Sequence, residues 1–135
     1  MGYKIDEIEG IGPTYREKLG TAGIGTTDDL LGKCATPVGR KEVAGVTGLS
    51  EKLLLDWTNM ADLMRVSGIG RQYAELLEAS GVDTLKELRN RRADNLAIKM
   101  NEVNTSKKLA KSSPSTSVVQ GWIDQAKTTD PKITY

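Results

Sequence analysis

The stretch Ile8-Glu9-Gly10-Ile11-Gly12-Pro13-Thr14-Tyr15 returns 58 positions later as Val66-Ser67-Gly68-Ile69-Gly70-Arg71-Gln72-Tyr73. The register then holds without a gap, pairing Glu17 with Glu75, Leu19 with Leu77, Gly23 with Gly81, Thr26 with Thr84 and Leu30 with Leu88. Two shared glycines alone constrain little. Glycines, a tyrosine, a helix-ending glycine and a following cap kept at one spacing imply a duplicated structural unit. With 135 residues available, the chain can form one compact domain or two small ones.

Helix signals dominate, and no segment shows sustained period-2 alternation bounded by hairpin turns. A short helix is expected at Ile5 to Ile8, before the first turn. Gly12-Pro13 opens a helix, since proline at the first helical position loses no useful N–H. Gly23 is expected to end that helix, with Tyr15, Leu19 and Ala22 on one face. Thr26-Thr27-Asp28-Asp29 reads as an N-cap with an acid three residues on. Thr36-Pro37 starts the next segment, which Gly48 ends. Ser50 caps a long amphipathic helix with Leu53, Leu54, Trp57, Ala61 and Met64 facing inward.

The second copy follows the same order. A helix is expected from Arg71 to about Ser80, ended by Gly81. Thr84 and Glu87 form a capping box, a helix covers roughly Asp94 to Val103, and Pro114-Ser115 opens the last helix, which carries Val118, Val119, Trp122 and Ala126. Trp57 and Trp122 stand 65 apart, so the second copy holds seven extra residues, most simply between Leu88 and Pro114. These boundaries place a first unit at 1–65, a second at 66–128 and a flexible, frayed tail at 129–135.

Composition removes whole classes of chemistry. The chain has no histidine, so it offers no His base, no Ser-His-Asp or Cys-His arrangement and no His-bound zinc. No carboxylate set has metal-ligand spacing, and no metal, cofactor or small-molecule substrate is expected. The single cysteine, Cys34, rules out an internal disulfide and suits a cytoplasmic protein. It reads as a small, semi-buried apolar residue. No apolar run is long enough to cross a membrane, and no secretory leader is evident. Net charge is +1 but uneven. Residues 1–65 carry 8 basic and 10 acidic side chains, a net of −2, against 11 and 8 in residues 66–135, a net of +3. A polyanion would meet the second half first.

The pattern at Ile5, Ile8, Gly10, Ile11, Gly12, Tyr15 and Leu19, repeated at Val66, Gly68, Ile69, Gly70, Tyr73 and Leu77, resembles the helix-hairpin-helix motif. Gly48-Leu49-Ser50 looks like a degenerate further hairpin. With Cys34-Ala35-Thr36-Pro37, Trp57 ahead of Ala61-Asp62-Leu63, and Gly121-Trp122-Ile123-Asp124-Gln125-Ala126-Lys127, nearly the whole chain resembles the bacterial DUF4332 family. The resemblance implies an all-α fold. It would hold two tandem helix-hairpin-helix units of the SAM-like, (HhH)2 type, each of four to five short helices, packed together with a pseudo-twofold repeat. It assigns no function.

Physics gives the turn a candidate role. Glycines permit close approach, and the N–H groups of the turn and of the following helix end can hold a phosphate without a basic side chain. Such contacts read backbone rather than base edges. DNA-binding members of the helix-hairpin-helix class grip the two strands across the minor groove with two hairpins. Three departures weigh against that role here. Tyr15 and Tyr73 stand where those proteins usually have Ala. Thr14 and Gln72 stand where Lys or Arg is common. Glu9 flanks the first turn, and one like-charge repulsion at ~4 Å is worth roughly 1–4 kcal/mol. Gly10, Ile11, Gly12 and Thr14 are therefore assigned a structural role.

The second turn is the candidate nucleic-acid site, comprising Arg65, Gly68, Ile69, Gly70, Arg71 and Gln72, extended by Lys86, Arg89, Arg91 and Arg92. Lys107, Lys108 and Lys111 form another basic run. The bland alternative is that both runs are solvated helix ends and that the glycine turns only join helices. Trp57 and Trp122 read as core anchors, with Tyr15 and Tyr73 at the base of the turns. No lysine and aspartate surround a base pocket, so no enzyme is expected. The two functional readings are a non-catalytic module that binds nucleic acid (duplex DNA) without sequence readout, and a protein-interaction adaptor whose hairpins are purely structural.

Overall fold

A computed structural model describes residues 2–135, and among them every regular element is helical. A single β-bridge joins Lys4 to Thr26. A 3-10 turn at Ile5–Glu7 precedes α1 (Pro13–Gly20), α2 (Thr27–Cys34), α3 (Pro37–Thr47) and α4 (Glu51–Leu63). Then come α5 (Arg71–Ala79), α6 (Leu85–Arg89), α7 (Ala93–Lys107) and α8 (Thr116–Thr128). The chain divides into two compact units, Met1–Asp62 with Lys132–Tyr135, and Leu63–Pro131.

The predicted caps form as local chemistry requires. The Thr26 hydroxyl accepts from the Asp29 amide while Asp29 Oδ2 accepts from the Thr26 amide, both at 3.1 Å. Hydrogen bonds from backbone Gly25, and then from Thr26, hold the Asp29 carboxyl below the usual range. Thr84 and Glu87 repeat the box at 3.1 Å in both directions. Thr36, Ser50 and Ser115 cap α3, α4 and α8 with their hydroxyls. Gly48 ends α3 in the left-handed region at φ 76°.

In the first unit, α2 and α3 pack on each other around Leu30, Leu31, Cys34 and Val43, all buried. Trp57, 4% exposed, comes from α4, and Tyr15 meets it edge-on at 5.1 Å between ring centres. In the second unit, α7 and α6 pack on α8, and α5 packs on α7. Trp122 is 2% exposed and Tyr73 lies 5.1 Å from it. Thr58 and Ser80 are buried, and each hydroxyl donates to the carbonyl four residues back, Leu54 at 2.5 Å and Leu76 at 2.7 Å.

The structure corrects several details. α1 stops at Gly20, and the Thr21 amide reaches back to Lys18 and Glu17, so Gly23 (φ 79°) belongs to the turn beyond the helix. The extra residues of the second half lengthen α7 to 15 residues against 11 in α3. They also supply the segment after Lys108, which takes φ 54°. Cys34 is wholly rather than partly buried. The tail is not frayed. Ile133 is 8% exposed, and the Thr134 amide donates to the Ala35 carbonyl at 2.7 Å. An apolar β-branched residue with a receiving pocket outweighs the local Asp130-Pro131 signal for disorder.

The glycine turns carry the same geometry 58 residues apart. Gly10 has φ 95° and Gly68 φ 94°, a region costly for any residue with a Cβ. Ile8 and Ile11 amides donate to Ile5 and Ile8 carbonyls, and Val66 and Ile69 amides to Leu63 and Val66, all at 3.1–3.2 Å. A Cβ on Gly68 would lie 3.0 Å from Trp122 Nε1, whereas one on Gly48 would meet nothing within 4 Å. Gly68→Ala is therefore expected to cost about 1–3 kcal/mol, and more than Gly48→Ala, in urea unfolding followed by helix signal. Equal costs would show that backbone conformation alone decides and that the indole is no constraint.

Candidate nucleic-acid interface

The second turn is stiffened from beneath. The Gln125 amide of α8 straddles Ser67, accepting from its N–H at 3.0 Å and donating to its carbonyl at 3.3 Å. Arg65, half-buried, donates to the Asp130 carbonyl at 2.9 Å. It is therefore tied into the unit rather than pointing wholly outward. Ile69 is fully buried and anchors the turn in the core. Gly70 is the N-cap of α5 and gives it no side-chain cap. Arg71 and Gln72 are exposed in the first turn of that helix.

The segment after α7 lies beside this helix end. The Lys111 amide donates to Gln72 Oε1 at 3.4 Å, and the Tyr73 hydroxyl to the Ser112 carbonyl at 3.3 Å. Lys107, Lys108 and Lys111 are all exposed. So the basic run that the structure ties to the second turn is the one following α7.

The Lys86–Arg92 run goes elsewhere. Arg91 Nη1 would lie 3.9 Å from a Cβ on Gly81, beyond the far end of α5. Nine residues at 1.5 Å each put that end roughly 13 Å from Gly70. Arg91 and Arg92 instead line a cleft of about 470 Å³ with Thr116, Gln120 and Lys127 of α8. Arg92 pairs with Asp94 at 3.1 Å. The Asn95 amide, and then Arg92, hold the Asp94 carboxyl below its usual range. Lys86 and Arg89 sit in the last turn of α6, where positive charge suits the helix dipole. Of the ten sequence-selected residues, Arg65 and Gly68–Gln72 thus lie at the start of α5, while Arg91 lies by Gly81, past its far end.

The first turn has the same shape and a different rim. Arg16 pairs with Asp6 at 3.1 Å, with Glu7 and Glu9 nearby in sequence. Ile11 is buried, Gly12 and Thr14 are exposed, and Trp57 Nε1 would lie 3.7 Å from a Cβ on Gly10. Sequence reasoning did not find Gln125 or the Asp130 carbonyl. Both act across long chain separations, and no local pattern marks a side-chain amide that clamps a peptide group.

Among the described residues, no group of His, Cys, Asp and Glu side chains could hold a metal ion, and no helix is long and apolar enough to cross a membrane. Burial pushes the Cys34 thiol up from its ordinary value, which keeps it protonated at neutral pH. A family model described as a domain of unknown function, DUF4332, matches residues 9–129. The chain belongs to that family. No curated protein and no solved structure matches it.

Because the thiolate is the reacting form, Cys34 in the folded chain is expected to react with a thiol reagent at pH 8 at least about 100-fold more slowly than in denaturant. Stopped-flow labelling checks this, and equal rates would mean that the site is open.

Proposed function

We propose that each unit is a helix-hairpin-helix unit, repeated in tandem, and that the second binds duplex DNA non-catalytically and without sequence readout. The observation that carries the reading is the N-terminus of α5. It has no side-chain cap, displays Arg71 and Gln72 in its first turn, and holds Gln72 against the Lys111 amide. A phosphate oxygen there meets helix-end N–H groups and the positive end of the dipole. Arg71, Lys107, Lys108 and Lys111 add Coulomb attraction without specifying a base. The first unit, with Glu9 beside its turn, is scaffold.

A salt-titrated gel shift on random-sequence duplex tests this. Binding is expected with Kd of roughly 10⁻⁴ to 10⁻⁶ M at physiological salt, weakening steeply as salt rises. Arg71→Glu and Lys111→Glu are each expected to weaken it about tenfold or more, whereas Arg92→Glu, at the other end of α5, changes it less than threefold. No shift at low salt, or equal effects of all three variants, would sink the reading.

A second reading, a protein-interaction adaptor, is favoured by one feature of the first unit. Val38 and Val46 of α3 are 67% and 63% exposed, and they flank a cleft of about 580 Å³ that α2 also lines. Exposed valines on a cleft suit an apolar partner surface. A nuclease-resistant, stoichiometric complex that Val38→Asp and Val46→Asp abolish would support this reading. A complex insensitive to both changes would remove it.

A further inference from the structure

Residues Lys132–Tyr135 group with the first unit rather than with the second. They follow α8 and are held in the first unit by both main-chain and side-chain groups. The Lys132 amide donates to Asp62 Oδ2 at 3.3 Å, and the Thr134 amide to the Ala35 carbonyl at 2.7 Å. Arg40 Nη2 donates to the Thr134 carbonyl at 2.8 Å. The Tyr135 hydroxyl donates to Asn59 Oδ1 at 2.9 Å, and Ile133 is the one buried side chain of the segment.

The receiving groups are built into the unit. Arg40 is 5% exposed, and its Nη1 is already fixed on the Cys34 and Ala35 carbonyls at 3.0 and 3.2 Å, which aims Nη2 outward as a donor. Asp62 is 2% exposed. A buried guanidinium and a buried carboxylate, each spending a hydrogen bond on main-chain groups of a four-residue segment with no regular structure, describe a site that reads backbone. Main-chain bonds of this kind give affinity and one apolar pocket gives selectivity, as where a strand is added to an exposed edge. An empty slot would cost Arg40 Nη2 the hydrogen bond it gives to the Thr134 carbonyl.

We propose that this slot is a recognition site for a segment without regular structure carrying a β-branched apolar residue, filled here in cis, and that the same segment of a second copy competes for it. The inference is independent of DNA binding, because the slot lies in the unit to which that reading assigns no contact.

A fluorescein-labelled peptide of residues 129–135 tests it by polarisation against three full-length chains: wild type, Ile133→Asp and Thr134→Pro. The aspartate puts a charge in the apolar pocket and the proline removes the N–H that Ala35 accepts. Both release the chain's own tail, so both are expected to bind the peptide at least about tenfold more tightly than wild type. A peptide carrying Ile133→Asp is expected to bind the released chains at least about tenfold more weakly. The proposal is overturned if folded released chains bind no peptide, or bind both peptides equally. It also fails if both variants lose their helix signal, since the segment is then core rather than a removable occupant.

Discussion

Each glycine turn lies against a tryptophan indole and takes a left-handed backbone conformation that favours a residue without a Cβ. That constraint organises each unit. Gly10 lies against Trp57 and Gly68 against Trp122, both glycines at φ near 95°, and in each case a tyrosine ring meets the same indole at 5.1 Å. The glycine and the indole come from opposite ends of the unit's chain. Their contact therefore closes a long loop, whose entropy grows only slowly with length once it is paid by burial of a large aromatic surface. The buried Ile11 and Ile69 fix the turn from the next position. The tyrosines, each 5.1 Å from its indole, thereby gain a structural role at the turn.

What the sequence made legible was whatever rests on local chemistry. Thr26 with Asp29 and Thr84 with Glu87 identify their helix starts, because a capping box needs only residues three apart. The 58-residue register is readable because the same backbone conformation selects the same glycines. Gly23 misled in a small way. A glycine after a helix marks a left-handed residue, and here two residues, Thr21 and Ala22, intervene between the helix end and that residue.

The illegible parts share a cause. Arg40 reaches Thr134 across 94 positions, and Gln125 reaches Ser67 across 58. An arginine in an amphipathic helix and a glutamine near a helix end carry no periodic signal that separates these roles from solvation. The placement of the basic runs is illegible for the same reason. Lys86–Arg92 is the denser cluster in sequence and follows the turn sooner, but Arg91 lies by Gly81, after α5, while the segment after the longer α7 brings the Lys111 amide to Gln72. Density along a chain does not measure proximity across helices.

Two turns of one shape can serve different ends because a backbone turn supplies geometry and its rim supplies sign. Around the first, Asp6, Glu7 and Glu9 stand close in sequence, and Arg16 is paired with Asp6. Around the second, Ser67 is clamped by Gln125 and Arg65 is tied to a carbonyl. These ties take groups away from any ligand, but they also hold the turn still. For a site made of helix-end N–H groups, stillness matters more than the number of donors. An anion held by fixed dipoles does not have to pay for ordering them, whereas one held by long, exposed lysines does. In the proposed DNA-binding role, the second turn would divide the work, with the clamped backbone at the centre and exposed cations at the edge. That division suits a ligand whose charges repeat and whose sequence does not matter.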